Sequence, residues 1–239
     1  MKTKTFFKSV LTYVLFWIFY LLYIYVFKIR NKTRIIGKEN MPKIKKGLVT
    51  YENHESFIDP LPIRALRMRF WDMLFHQNRI PFDIPDFKNF FGKRIKAFLF
   101  KHLRNIPIKR DSEDEKVREE LVEKCCDVLK RYNLNVFFEG GRTINEIRLC
   151  TSGFAKIILK SIEEKLDVVF LPMYTEGIKN IMPREVGMNY LKISFGHEVL
   201  IIIGKPVDFS DIVQMDVAME RKIYLIKKRV RESVLALKP

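Results

Sequence analysis

The stretch Asn53-His54-Glu55-Ser56-Phe57-Ile58-Asp59-Pro60 sets an imidazole and a carboxylate five positions apart. An unperturbed imidazole has a pKa of about 6.5 and exchanges protons near neutrality. If the Asp59 carboxylate turns back onto the His54 ring, it fixes which nitrogen carries the proton. The other nitrogen is then a general base for a substrate hydroxyl. Asn53 would hold the loop, and Ser56 would support Asp59. The same residues also have a purely structural reading. Ser56 and Asp59 form a Ser-x-x-Asp helix start, and Pro60 suits a first helical turn, where its missing N–H does no harm. Taken alone, the stretch leaves both readings open.

A second stretch, NVFFEGGRT from Asn135 to Thr143, favours chemistry. Here a strand is expected to end in Glu139, followed by Gly140, Gly141 and Arg142. Glycines let backbone N–H groups approach an anion closely, and a guanidinium matches a phosphate in two-pronged fashion. The structural alternative is a Gly-Gly turn beside an ion pair. A third stretch, NIPIKRD, ends a strand in Lys109 and Arg110, a basic end apt for phosphate. A fourth, VVFLPMYTEG, is an apolar strand that the proline at Pro172 is expected to break, near where a substrate channel could open.

Such residues need elements to hold them. Strands are expected at Thr33–Ile36, Leu48–Tyr51, Ile106–Lys109, Asn135–Glu139, Val168–Tyr174, Lys192–Phe195 and Val199–Ile203. Helices are expected at Pro60–Met68, Phe87–Leu103, Ser112–Arg131, Gly153–Lys165 and Val213–Leu237, with Ser112 and Glu115 as a capping box. The alternation predicts an α/β fold: a mixed, largely parallel sheet flanked by helices. A loop leaving a strand and entering a helix then lies at the sheet's edge, where α/β sites form.

Ahead of this domain, Val10 to Phe27 carries no charge. As a helix it would cover about 27 Å, close to a bilayer core. Lys2, Lys4 and Lys8 precede it, and Lys28, Arg30, Lys32 and Arg34 follow. No small-residue cleavage site follows the apolar run, which argues against a signal peptide. The expected organisation is a hydrophobic membrane helix with basic flanks in residues 1–32 and a single α/β domain in residues 33–239. Whether the helix spans the bilayer or lies in one leaflet stays open. The basic excess on its C-terminal side points to a cytoplasmic body.

A formal charge of +16 calls for an acidic counterpart. With the apolar helix upstream, an anionic phospholipid surface leads. Phenylalanines and bases interleaved from Arg67 to Arg104 fit lipid headgroups as well as a core helix pair. No nucleic-acid motif appears. The three cysteines, Cys125, Cys126 and Cys150, show neither disulfide nor metal spacing, and Cys125 falls on an apolar helical stripe.

His-x4-Asp, an Ile-x-Arg strand end, Phe-x-Glu-Gly-x-Arg and a strand with a late proline follow one another in that order. This series resembles the glycerolipid acyltransferase family, from Gly37 to the closing Ile-Gly-Lys-Pro-Val at Val207. The resemblance implies that His54 and Asp59 are the catalytic pair. It implies that Arg110, Glu139, Gly140, Gly141 and Arg142 bind the acceptor. Asn53, Ser56 and Pro172 support them. Phe138 stands where the family commonly has proline, Gly141 where it has threonine, and Thr143 where it has serine. The implied reaction moves a fatty acyl group from acyl-CoA or acyl-carrier protein to a lysophospholipid hydroxyl, foremost that of 1-acyl-glycerol-3-phosphate. No metal or redox cofactor is implied. Glycerol-3-phosphate or another lyso-lipid as acceptor, an acyl thioesterase, and a non-catalytic membrane-docked binding protein are the alternatives.

Overall fold

A computed structural model describes residues 2–67, 79–87, 94–108, 114–183, 185 and 192–239. Among them, six strands form one sheet: β1 (Lys32–Ile36), β2 (Leu48–Glu52), β3 (Phe82–Asp83), β4 (Leu134–Phe137), β5 (Val169–Glu176) and β6 (Glu198–Ile203). The order across the sheet is β1-β6-β5-β2-β4-β3. Every neighbouring pair is parallel except β5 with β6.

Side chains alternate across the strands, as the period of two requires. Val49, Tyr51, Phe170 and Tyr174 face one core, while Leu48, Leu171 and Met173 face the other. The first core is closed by helices Glu115–Leu129, Ser152–Glu163 and Met219–Leu235. Val122, Phe154, Ile158, Ile226 and Val230 fill it. Cys125, Cys126 and Cys150 are buried there as free thiols, which matches packing rather than cross-linking. The second core takes Leu61 and Ile63 of helix Pro60–Arg67, Ile178 and Ile181 of the short helix Ile178–Ile181, and the end of the N-terminal helix.

That N-terminal helix, Lys2–Tyr23, continues as a π-helix over Ile24–Ile29. Its Val10–Ile29 stretch is long and apolar enough to cross a membrane, with a mean hydropathy of 2.1. It is not, however, a free-standing rod. Leu15, Phe16, Tyr23, Val26 and Phe27 are buried against the protein. Val10, Val14, Ile18, Leu21, Tyr25 and Ile29 form an exposed stripe at steps of three and four residues, one face of a helix.

Several expected elements differ. Ile106–Lys109 makes no strand within the described residues, only single bridges from Asn105 to Asp83 and from Ile108 to Asp86. Pro107 lies between them and has no N–H to continue a ladder. Lys192–Phe195 is irregular because its backbone donors go elsewhere: Ser194 N–H to the Ile181 carbonyl at 2.8 Å, and the following Gly196 N–H to Arg30 at 3.0 Å. The expected Val213–Leu237 helix is two, Ser210–Gln214 and Met219–Leu235. The break lets Ile212 and Ile226 both reach the core, and Lys222 Nζ caps the free Val213 carbonyl at 2.7 Å. The helix expected from Ser112 begins at Glu115, capped by Asp114, whose carboxylate accepts Lys116 N–H at 3.0 Å. Ser112 itself lies outside the described residues, as do Lys109 and Arg110. Much of the aromatic and basic run from Arg67 to Arg104 does too.

On the N-terminal helix Phe27 is buried and Leu21 is exposed. In detergent, Phe27→Ala should lower unfolding stability by about 3–5 kcal/mol. Leu21→Ala should change it by less than about 0.5 kcal/mol. Chemical unfolding of both variants checks this; equal effects would mean that the helix does not pack as described.

Candidate active site

Parallel pairing brings three strand ends together. Glu52, the last residue of β2, is in register with Phe137 of β4 on one side and Met173 of β5 on the other. The loop after β2 therefore emerges between the turn after β4 and the end of β5. His54 stacks on the Phe137 ring with centroids 4.2 Å apart.

The loop folds around one carboxylate oxygen. Asp59 Oδ2 lies 2.7 Å from His54 Nδ1 and accepts the backbone N–H groups of Glu55 at 2.6 Å and Ser56 at 2.9 Å. Asp59 is fully buried. This arrangement puts the ring proton on Nδ1 and leaves Nε2 with a lone pair. Ser56 does not act as a helix cap with its hydroxyl, which donates to the Met182 carbonyl at 2.7 Å. Its backbone N–H makes the reciprocal half of the expected cap, and Pro60 opens the helix as expected. Asn53 holds the loop to β5: its amide donates to Thr175 O at 2.8 Å and accepts Thr175 N–H at 2.9 Å.

The turn after β4 closes the other side. The ladder stops at Phe137, earlier than expected, and Gly140 N–H donates back to the Phe137 carbonyl at 3.0 Å. Gly140 has φ +70, and a Cβ there would meet Thr151 Cγ2 at 2.5 Å, so only glycine fits. Thr143 ties this turn to the His54–Asp59 loop: its N–H donates to the His54 carbonyl at 2.5 Å, and its hydroxyl donates to Glu139 Oε1. Glu139 Oε2 accepts Arg148 N–H at 3.0 Å. Both Glu139 oxygens thus brace the turn, and the Arg148 guanidinium lies 3.5 Å from Glu139. Arg142 stacks over the Phe57 ring at 4.0 Å and lines the cavity with Gly141. Arg110 lies outside the described residues.

Pro172 does not break its strand. β5 runs through it to Glu176. A strand residue's N–H and C=O point to the same side, and the Pro172 carbonyl accepts Gly204 N–H at 2.9 Å, just past the end of β6. The missing donor therefore falls where the neighbouring strand has ended. Pro172 is absent from the cavity wall.

The cavity in front of His54 measures about 250 Å³. One part of its wall is apolar: Phe19 of the N-terminal helix, Phe57, Ile84, Phe100 and Leu103. Another part is polar: His54, Arg64, Asp83, Asn105 and Arg142. Arg64 and Asp83 form a buried ion pair at 2.7 Å. Arg64 also donates to Asn105 Oδ1 at 3.1 Å, and Asn135 donates to both Asp83, at 3.1 Å, and Glu52, at 3.2 Å. Burial, with Asp59 and Asp83 nearby, pushes the Glu52 carboxyl well above the usual carboxylate range. Burial also outweighs Arg64 in raising Asp83. Sequence reasoning missed Thr143, Phe137, Arg64 and Asp83. The available signal for Arg64 was a lone charge inside the apolar run PLPIRAL.

Removing one partner of a buried ion pair strands the other charge. Arg64→Met should therefore cost about 3–5 kcal/mol of stability. Adding Asp83→Asn should recover most of that loss, as read by chemical unfolding of the single and double variants. Equal stability of wild type and Arg64→Met would place the pair in solvent.

A family model described as Acyltransferase matches residues 32–176, more than half of the chain. No curated protein matches the sequence. Among solved structures, the 1-acyl-sn-glycerophosphate (LPA) acyltransferase, PlsC, from Thermotoga maritima is similar with a TM-score of 0.56 at 18% identity. The alignment covers 87% of this chain and 73% of that one. At this identity the likeness speaks for the fold, and it bears out the expected mixed, mostly parallel sheet flanked by helices. The family match spans His54, Asp59, Glu139 and Arg142 and bears out the resemblance read from the ordered motifs. The chain therefore belongs to the acyltransferase family and is an acyltransferase.

Proposed function

We propose that this enzyme moves a fatty acyl group from a thioester, acyl-CoA or acyl-carrier protein, to the hydroxyl of a lysophospholipid. The leading acceptor is 1-acyl-glycerol-3-phosphate, giving phosphatidic acid. The observation that carries this reading is the hydrogen-bonded His54–Asp59 pair at a cavity walled partly by apolar rings and partly by Arg142. The similar Thermotoga maritima protein is a 1-acyl-sn-glycerophosphate acyltransferase, which supports this choice of acceptor.

In this reading His54 Nε2 takes the proton of the acceptor hydroxyl as its oxygen attacks the thioester carbonyl. Asp59 holds the ring and offsets the imidazolium charge. Collapse of the tetrahedral species expels the thiolate, which takes the proton back from His54. The ester and the free thiol are then the products, with no net proton change. Arg142, and Arg110 by the family pattern, attract the acceptor phosphate. Glu139 acts through the turn it braces. The cavity holds both reacting groups side by side, which supplies the proximity term. No metal or redox cofactor has a part in this scheme.

The acceptor is a lipid, and the N-terminal helix supports a route for it. Because one face is buried against the protein, the helix suits lying in one leaflet rather than crossing it. The exposed stripe would enter the acyl region. Lys28, Arg30 and Lys32, all exposed, would meet anionic headgroups. Arg30 packs over Phe195 at 4.4 Å, adding an aromatic ring at the same end. Phe19 on this helix lines the cavity, so the membrane contact and the reaction space share one element. The basic flanks favour a domain on the cytoplasmic side.

Two experiments test the reading. Detergent-solubilised enzyme would receive labelled palmitoyl-CoA with lysophosphatidic acid, with glycerol-3-phosphate, or with no acceptor. Label should enter phosphatidic acid, and His54→Ala should reduce the rate by about 10²–10⁴-fold. Label appearing only as free fatty acid would identify a thioesterase, and unchanged transfer by His54→Ala would remove the base from the mechanism. In the second, flotation with vesicles containing anionic lipid should retain the wild-type chain. The Ile18→Glu, Leu21→Glu double variant should float markedly less; equal flotation would contradict docking through that stripe.

A further inference from the structure

His54 faces the cavity, while its neighbours Asn53, Glu55 and Ser56 all bond to the segment from Thr175 to Met182. Two of these fastenings are neutral: the paired amide contacts of Asn53 with Thr175, and the Ser56 hydroxyl on the Met182 carbonyl. The third is ionic in character. Glu55 Oε2 accepts the N–H groups of Ile178 at 2.9 Å and Lys179 at 3.3 Å, in the first turn of the Ile178–Ile181 helix. The same residue's backbone N–H donates to Asp59 Oδ2 at 2.6 Å. Glu55 thus links the catalytic carboxylate to the 178–181 turn, yet it does not line the cavity.

We propose that Glu55 is a positioning residue: its ionised carboxylate clamps the catalytic loop to the 178–181 turn, and turnover depends on that charge. The kinetic part of this proposal rests on the acyltransferase reading above. The clamp itself does not.

Other groups face this carboxylate. Asp59 repels it and the Lys179 ammonium attracts it. Tyr174 of β5 is also coupled to it, and Glu176 lies beside Tyr174. Burial first and Asp59 second push the Glu55 carboxyl up to about 7, with the Ile178 and Lys179 N–H groups pulling the other way. An unfolded chain would release the proton near about 4.3. Between those values the folded chain holds a proton that the unfolded chain has lost, so stability falls as pH rises through that window. Above about 7 the charged Glu55 weakens the fold. In that state it also makes the stronger, charge-assisted bonds to the turn and adds negative charge behind the pair that must hold an imidazolium. Stability and activity therefore respond to this charge in opposite directions.

Glu55→Gln keeps the size and one acceptor oxygen but cannot ionise. At pH 8 its Tm should rise by about 2–4 °C, while kcat falls roughly tenfold. In the wild type the acid limb of the kcat profile should combine two protonations, at the base and at Glu55. In E55Q one should remain. Independently of substrate, the ¹⁵N-labelled amide signals of Ile178 and Lys179 should titrate with a midpoint of about 7 in the wild type and stay flat in E55Q. A lowered Tm with an unchanged acid limb would make Glu55 a structural residue only and overturn the proposal. Amide signals that do not titrate would overturn the clamp. Failure of the wild-type chain to transfer any acyl group would instead overturn the parent reading, and the amide titration would still decide the clamp.

Discussion

One oxygen atom organises the active site. Asp59 Oδ2 receives the His54 ring and two backbone N–H groups from the intervening residues, all within 2.9 Å. These contacts curl the six residues from His54 to Asp59 into a loop whose shape and whose ring orientation are set by the same atom. A carboxylate this deeply buried would be costly without such donors. Here the donors are also what aims the imidazole, so the loop's stability and its chemistry have a common source.

The sheet makes that loop possible. β2 lies between β4 and β5, parallel to both, so all three strands release their chains at one edge. From β4 comes the Glu139–Thr143 turn, which grips the His54 backbone. From β5 comes the segment that Asn53, Glu55 and Ser56 grip in turn. The His54–Asp59 loop is thus held from both flanks, and it presents His54 and Phe57 to the cavity. Beneath it lies a buried polar floor in which Arg64 pairs with Asp83 and Asn135 donates to both Asp83 and one oxygen of Glu52. The N-terminal helix then closes the cavity with Phe19 and turns its other face outward. One helix thus supplies both a wall of the cavity and an exposed apolar stripe.

Much of this was legible in the sequence. The His54–Asp59 spacing, the strand before it and the proline after it pointed to the loop, and alternating apolar runs pointed to the sheet. Local signals served best where local chemistry decides, as at Gly140. They failed where tertiary partners decide. Ser56 reads as a cap, but the Met182 carbonyl, far along the chain, takes its hydroxyl. Pro172 reads as a strand break, and only the end of β6 makes it harmless within a strand. The expected strand at Lys192–Phe195 has the right alternation, but the Ile181 carbonyl, distant in sequence, takes the Ser194 N–H. Burial of one face of the N-terminal helix left no mark in its composition, since both faces are apolar. Arg64 and Asp83 are nineteen positions apart and carry no pattern that links them.

In the proposed reaction Asp59 holds the His54 proton on Nδ1 and leaves Nε2 as the base. The chain has four histidines, so ¹⁵N NMR of histidine-labelled enzyme, assigned with His54→Ala, reads this directly. Above neutrality His54 should show a protonated, pyrrole-type Nδ1 and an unprotonated, pyridine-type Nε2. Asp59→Asn should mix or reverse the two tautomers. A wild-type signal with the proton on Nε2 would contradict the account, because the nitrogen facing the substrate could then not accept the acceptor's proton.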